Sequence, residues 1–194
     1  MNLVNTSLRA AACALLTGLA ACAAAPPPRM MLLSNDTAVP PVPAAVQRPI
    51  LVVRTAVLPE YLDRRAMLYR SAGSELQRFP DTIWAERLTE SVTRWIAQQL
   101  AVDAPGYDVE AFTTSGSSRP ALELHLELES FEPAEGPPPS LRLRGQWRLS
   151  GQSAGEGVVA ADVPMGALEP AVAVAAMRTA LAVVASNIAA GLPK

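Results

Sequence analysis

Two periodicities of apolar and polar residues run through the chain and predict its elements. The clearest is at residues 122–128, where leucine alternates with Glu123, His125 and Glu127, continuing to Glu129 and Phe131. A period of two buries one set and wets the other, so this is a half-buried strand. Leu141, Leu143, Trp147 and Leu149 alternate with Arg142, Arg144, Gln146 and Arg148, which predicts a second. The connection at 135–139 is too rich in proline for a tight hairpin turn. With one polar face acidic and the other basic, antiparallel pairing is expected to set Glu123, Glu127 and Glu129 opposite Arg142, Arg144 and Arg148. Each such pair contributes roughly 0.2–1 kcal/mol. Residues 157–163 are expected to add a third strand alongside.

Upstream, residues 50–58 form a β-branched, apolar run that predicts a mostly buried strand, stopped by Pro59. A polar turn over 60–65 and a short strand over 66–70 follow. Pro80 and Asp81 are read as opening a helix, with Asp81 or Thr82 as N-cap. Its apolar stripe is Trp84, Leu88, Val92, Trp95 and Leu100. Glu86, Arg87, Glu90 and Arg94 make the wet side, and Glu90 and Arg94 have the i,i+4 spacing of a pair. Residues 103–106 end the helix and 107–112 predict a strand. The last element is a helix from Pro170 to about Ala190, with Met177, Leu181, Val184, Ile188 and Leu192 as its main stripe and Gly191 as its stop. Arg178 near its middle would cost roughly 2.5–3.5 kcal/mol inside a bilayer, so the helix is expected to pack on the sheet. The fold class is α+β: an antiparallel or mixed sheet with two helices on one face.

The N-terminus changes the setting of this domain. Arg9 precedes an apolar stretch that ends at Leu19-Ala20-Ala21-Cys22. This is the pattern of a lipoprotein signal: an aliphatic residue, two small residues, then the cysteine that takes a diacylglyceryl group. Residues 1–21 are therefore read as a signal peptide and Cys22 as the lipid attachment site. Each buried acyl methylene contributes about 0.8 kcal/mol, and two or more chains anchor stably. Ala23 follows the cysteine where many Gram-negative inner-membrane lipoproteins carry aspartate, which favours the outer membrane, with the domain facing the periplasm. Residues 22–48, bracketed by Pro26-Pro27-Pro28 and Pro40-Pro41-Val42-Pro43, read as a stiff tether. Between the clusters, Met30-Met31-Leu32-Leu33 fits an edge strand. The folded domain is placed at 49–194.

Composition narrows the chemistry. Cys13 leaves with the signal and Cys22 is acylated, so the mature domain has no disulfide and folds on its core alone. A net charge of −2 argues against a strongly basic nucleic-acid binder. No P-loop, GxGxxG or GxSxG pattern is present. Gly151-Gln152-Ser153-Ala154-Gly155 only superficially resembles a nucleophile elbow. His125 is the one histidine. It sits between glutamates on a polar face, without the partners that catalysis or zinc requires. No catalytic residue, metal site or cofactor is expected.

Residues 58–70 read LPEYLDRRAMLYR. This resembles the signature of the ABC-type transport auxiliary lipoproteins, the PqiC-like (YmbA-like) family: a strand ending in Leu-Pro, then Tyr-Leu-Asp-Arg, usually proline, and later an apolar residue, any residue and arginine. Leu58, Pro59, Tyr61, Leu62, Asp63, Arg64 and Arg70 match, and Arg65 replaces the proline. Trp84-Ala85-Glu86-Arg87-Leu88 resembles the family's Trp-Ala-Glu-Pro-Leu, with Arg87 in place of proline. Met30-Met31 stands where an aromatic pair is common. The resemblance spans roughly residues 29–192.

The resemblance implies a role in lipid transport between membranes. The implied outer-membrane lipoprotein docks the envelope-spanning MCE-domain protein (PqiB-like) as a homo-oligomer, with a ring as the implied arrangement. Two other readings stay open: a lipoprotein that binds a small ligand or stabilises another envelope complex, and a hydrolase using carboxylates alone. For the motif residues, a role in setting the fold stands beside one in partner contact.

Overall fold

Leucine alternation supplies the central strand. A computed structural model describes residues 26–34, 48–73, 75–112 and 120–193. Its elements are β1 (Arg29–Met31), β2 (Ile50–Val53), β3 (Ala66–Arg70), β4 (Leu76–Trp84), α1 (Leu88–Asp103), β5 (Asp108–Ala111), β6 (Leu122–Ala134), β7 (Ser140–Gly151), β8 (Gly155–Pro164) and α2 (Pro170–Gly191). All eight strands belong to one mixed sheet.

Strand β6 organises that sheet. One edge pairs antiparallel with β7 along its length, bringing Leu124 opposite Leu149 and Leu126 opposite Trp147. Strand β8 pairs antiparallel with the far edge of β7. The other edge of β6 is shared by two arms. Its first part takes β2 in parallel, Leu51 beside Leu122, with β5 parallel outside β2. Its last residue, Ala134, pairs with Arg70 of β3, and β4 and β1 extend that arm. The sheet forks at β6.

Both helices lie against the sheet and against each other. Leu124, Leu126, Leu128, Leu141 and Leu143 meet Val92, Ile96 and Leu100 of α1 and Met177, Leu181, Val184 and Ile188 of α2 in one continuous core. By length and composition α2 passes as a membrane span, but half of its most apolar window is buried in the domain. Its stripe faces the core as the spacing predicts.

Four expectations are corrected. Pro80, Asp81 and Thr82 do not open a helix: they lie in β4, and α1 starts at Leu88 with Arg87 as its cap residue. Strand β4 tolerates Pro80 because its pairing with β3 shifts there, Ala66 facing Ile83 but Leu68 facing Arg78. At such an irregularity proline's missing N–H breaks no ladder bond. Asp81 takes a positive φ of 48° at the same place, and Trp84 ends a strand.

The second correction concerns register. His125 faces Arg148, Glu127 faces Gln146, Glu123 faces Ser150, and Arg144 faces Ser130. A shift between Leu128 and Ser130 leaves Glu129 unpaired, so no expected Glu–Arg pair forms. Arg144 instead binds Asp162 on β8 at 2.6 Å. Third, Arg94 pairs with Glu86, not Glu90. Fourth, the strand expected over 50–58 breaks after Val53 and resumes as a single bridge from Val57 to Glu127. Within the break the Ala56 N–H donates to Thr93 Oγ1 on α1 at 2.9 Å, so the bent backbone stays satisfied. Met30 and Met31 of the apolar run between the proline clusters lie in β1, an edge strand as expected, whereas Leu32 and Leu33 follow it, with Leu33 in the core.

Candidate functional site

The motif segment wraps the point where the β3 arm joins β6. Leu58, Leu62 and Trp84 enter the core. The Pro59 carbonyl accepts from the Leu62 N–H at 2.9 Å and turns the chain. Tyr61 and Arg70 then converge on Glu132, a carboxylate only 2% exposed. Arg70 donates to Glu132 Oε1 from Nε at 2.9 Å and from Nη2 at 2.6 Å. The Tyr61 hydroxyl donates to Oε2 at 3.2 Å, and the Phe131 N–H reaches the same oxygen at 2.9 Å. A buried charge is tolerable only when paired and hydrogen-bonded, and each oxygen here accepts two bonds. Burial first, then the Glu132 charge, raises the Tyr61 pKa above its ordinary 10.0, so the phenol remains a donor. The Glu132 hydrogen bonds raise the Arg70 pKa.

Asp63 does a different job. Arg87, the residue before α1, has no side-chain cap of its own. Asp63, 26 residues before Thr89, takes its place at the helix start, accepting from the Thr89 hydroxyl at 3.2 Å and from the Arg87 guanidinium. The Arg87 bond is the main cause that lowers the Asp63 pKa below its ordinary 3.8, and the Thr89 side chain and backbone add to it. A carboxylate at a helix N-terminus satisfies free N–H groups and opposes the positive end of the dipole. Arg87 itself sits at φ −63°, ψ 133°, the backbone proline would adopt, so its substitution leaves the turn intact.

Asp63→Ala is expected to destabilise the domain by about 1–2 kcal/mol through loss of this cap. Because the folded carboxyl has the lower pKa, the contribution is complete above the unfolded pKa and lost as pH falls through the folded value. Urea unfolding at neutral and acid pH checks both points. An Asp63→Ala difference that fails to shrink on acidification contradicts the cap.

Arg64 is exposed and has no side-chain partner among the described residues. The structure therefore brings Tyr61 and Arg70 together, sends Asp63 to α1, and leaves Arg64 outward. Cys22 lies outside the described residues. Sequence reasoning missed Glu132. The shift after Leu128 changes which residues share a face: Glu132 has the parity of Leu122 to Leu128, yet it pairs with Arg142 on the other face and becomes the buried partner of two motif residues. It also missed why Arg178 interrupts an apolar helix: Nε donates to the Leu33 carbonyl at 3.3 Å and Nη2 to the Leu32 and Ser34 carbonyls at 3.4 and 2.8 Å. Arg178 thus clasps the chain just after β1.

On the side of the sheet away from the helices, a depression of about 550 Å³ is lined by residues that include Val57, His125, Glu127, Arg148, Glu156 and Val158. Val158 is 78% exposed and Val57 57%. His125 Nε2 lies 3.3 Å from Ser150 Oγ and 3.7 Å from Glu123. No three His, Cys, Asp or Glu side chains among the described residues are grouped to hold a metal.

Residues 32–189 match the family model of the ABC-type transport auxiliary lipoprotein component. The chain belongs to this family. The auxiliary-lipoprotein fold recurs in solved structures. A crystal structure of an uncharacterised protein aligns with a TM-score of 0.68 at 16% identity, covering 84% of this chain and 97% of that one. XCC0632 from Xanthomonas campestris, of family DUF330, aligns with a TM-score of 0.60 at 18% identity, covering 83% and 90%. At these identities the likeness is one of fold. No curated protein matches the sequence. In this auxiliary lipoprotein, then, five of the seven matched residues between Leu58 and Arg70 build the fork of the sheet, Asp63 binds the start of α1, and Arg64 alone points outward.

Proposed function

We propose that this auxiliary lipoprotein is processed after residue 21, acylated at Cys22, and held in the outer membrane with residues 49–194 as its main domain and residues 22–48 as its tether, from which β1 and the residues up to Ser34 join the sheet and core. There it docks the periplasmic end of a PqiB-like MCE-domain protein that carries lipid between the membranes, and it does so as a homo-oligomer. Its action is mechanical attachment, without bond chemistry. The observation that carries this reading is the family match over residues 32–189 in a chain whose first residues spell Leu19-Ala20-Ala21-Cys22. The engagement of Tyr61, Asp63 and Arg70 with partners inside the fold agrees with a structural use of the motif.

Three measurements test it. A fatty-acid probe should label the wild type and leave Cys22→Ser unlabelled, because acylation starts at the Cys22 thiol of the lipobox; label on the Ser variant contradicts acylation at Cys22. The wild type should fractionate with the outer membrane, and Ala23→Asp should move it inward. Affinity capture from crosslinked cells should recover an MCE-domain protein, and light scattering of lipid-free protein should give a mass above the monomer. Capture without any MCE protein contradicts the docking role, and a strict monomer contradicts the oligomer.

The open depression favours a second reading, a lipoprotein that binds a small ligand there. Val158→Arg would fill it. Retained MCE capture together with loss of a lipid that copurifies with the wild type would support ligand binding at this face.

A further inference from the structure

We infer that the β1 edge of the domain is a membrane-contact surface, in which Met30, Leu32 and Ile83, bordered by Arg29, Arg64 and Arg65, rest on the anionic phospholipid leaflet that holds the anchor. This rests on the acylation of Cys22.

The apolar part is contiguous. Met30 is 67% exposed and Leu32 49%. Met30 pairs with Ile83 in parallel register, and Ile83 pairs with Ala66 in antiparallel register, so these three share one side of the sheet. The intervening Met31 turns the other way, onto the core. Two large apolar side chains exposed within three residues, Met30 on the outermost strand of one arm and Leu32 just after it, leave a patch that water does not favour.

Its border is basic. Arg29 opens β1, and Arg64 and Arg65 lead directly into Ala66 of β3. All three are exposed, and none has a side-chain partner among the described residues. The Arg65 carbonyl accepts from the Trp84 N–H at 2.7 Å, which holds this loop beside the end of β4. Arginines around an apolar patch match a surface with phosphate above and acyl chain below.

Chain length places the patch. Arg29 follows Cys22 by seven positions, with six residues between them. Whatever their conformation, they span at most about 25 Å, less than the width of the domain. The β1 edge therefore stays near the membrane, at high effective concentration relative to it. Arg178 completes the arrangement by gripping the carbonyls of Leu32, Leu33 and Ser34, so Leu32 is presented from a fixed backbone.

The test uses the acylated protein in vesicles of phosphatidylethanolamine and phosphatidylglycerol that carry a photoactivatable phospholipid, with adducts mapped by mass spectrometry. Adducts are expected on residues 29–32, 64–65 and 83, and not on β8 at the opposite edge. One basic side chain at an anionic surface is worth about fivefold in association. Arg64→Glu with Arg65→Glu should therefore cut adduct yield more than about tenfold, and leave it unchanged in phosphatidylcholine alone. Met30→Asp with Leu32→Asp should lower it in both. Thermal melting confirms that the variants are folded; should the aspartate pair unfold, Met30→Gln with Leu32→Gln replaces it. Adducts spread evenly, or gathered around Val57 and Val158, on a protein that still takes up fatty acid would overturn this surface and leave the anchor standing. No fatty-acid uptake would remove the anchor, and this proposal with it.

Discussion

Arg70→Ala is expected to lower the unfolding free energy by about 3 kcal/mol, the low end for breaking a buried ion pair because Arg70 is itself partly exposed. The loss comes less from the missing attraction than from what remains. Glu132, 2% exposed, keeps only the Tyr61 hydroxyl and the Phe131 N–H and must either hold an uncompensated charge or take up a proton. Adding Glu132→Leu to Arg70→Met should recover most of the stability, since a matched apolar pair replaces a buried ion pair at little cost. Denaturant unfolding of the two single variants and the double variant measures the coupling. Near-additive losses would show that the two side chains act independently, against the geometry.

Trp147→Ala is expected to cost about 3–5 kcal/mol, the range for removing a large buried aromatic. Trp147 is 5% exposed, and its indole N–H donates to Asn187 Oδ1 on α2 at 2.8 Å. It fits because two neighbours lack side chains: a Cβ on Gly157 would lie 2.7 Å from the ring, and one on Gly191 would also collide with it. Trp147 thus joins β7, β8 and the end of α2. Gly157→Val should reproduce a large part of the loss by forcing the ring out of place. Unfolding by urea decides the matter. A Gly157→Val protein as stable as wild type would mean that the ring has room to move.

Legibility in the sequence followed the strength of the local pattern. Strands β6 and β7 and helix α2 were readable because strict alternation or a long apolar stripe leaves one face to bury, and β3 and β8 as short apolar runs beside them. The start of α1 was not. Trp84, Leu88, Val92 and Trp95 keep helical spacing, and Pro80-Asp81 looks like a start signal. Trp84 nevertheless closes a strand, because the irregular pairing of β3 and β4 accommodates both Pro80 and the positive φ of Asp81. The register of β6 on β7 was also hidden. A single extra residue at Glu129 moves every later side chain to the opposite face, and nothing in LELHLELES announces it. That shift concealed Glu132. The motif residues were visible only by resemblance, and their roles emerged only with their partners, which lie 62 residues from Arg70 and 26 from Asp63. The Arg178 clasp joins residues 144–146 positions apart, beyond the reach of any periodicity.

The long strand β6 has a consequence for distance. Thirteen residues at about 3.3 Å each make a rod of roughly 43 Å. His125 and Glu127 line the open depression near one end, and Ala134 meets the β3 arm at the other. The two features are held about 25–30 Å apart by one continuous strand braced along its length by β7. A body seated in the depression would therefore stand at a fixed height and angle relative to the β1 arm. That spacing is set by the number of residues in β6 and not by the slack of a linker.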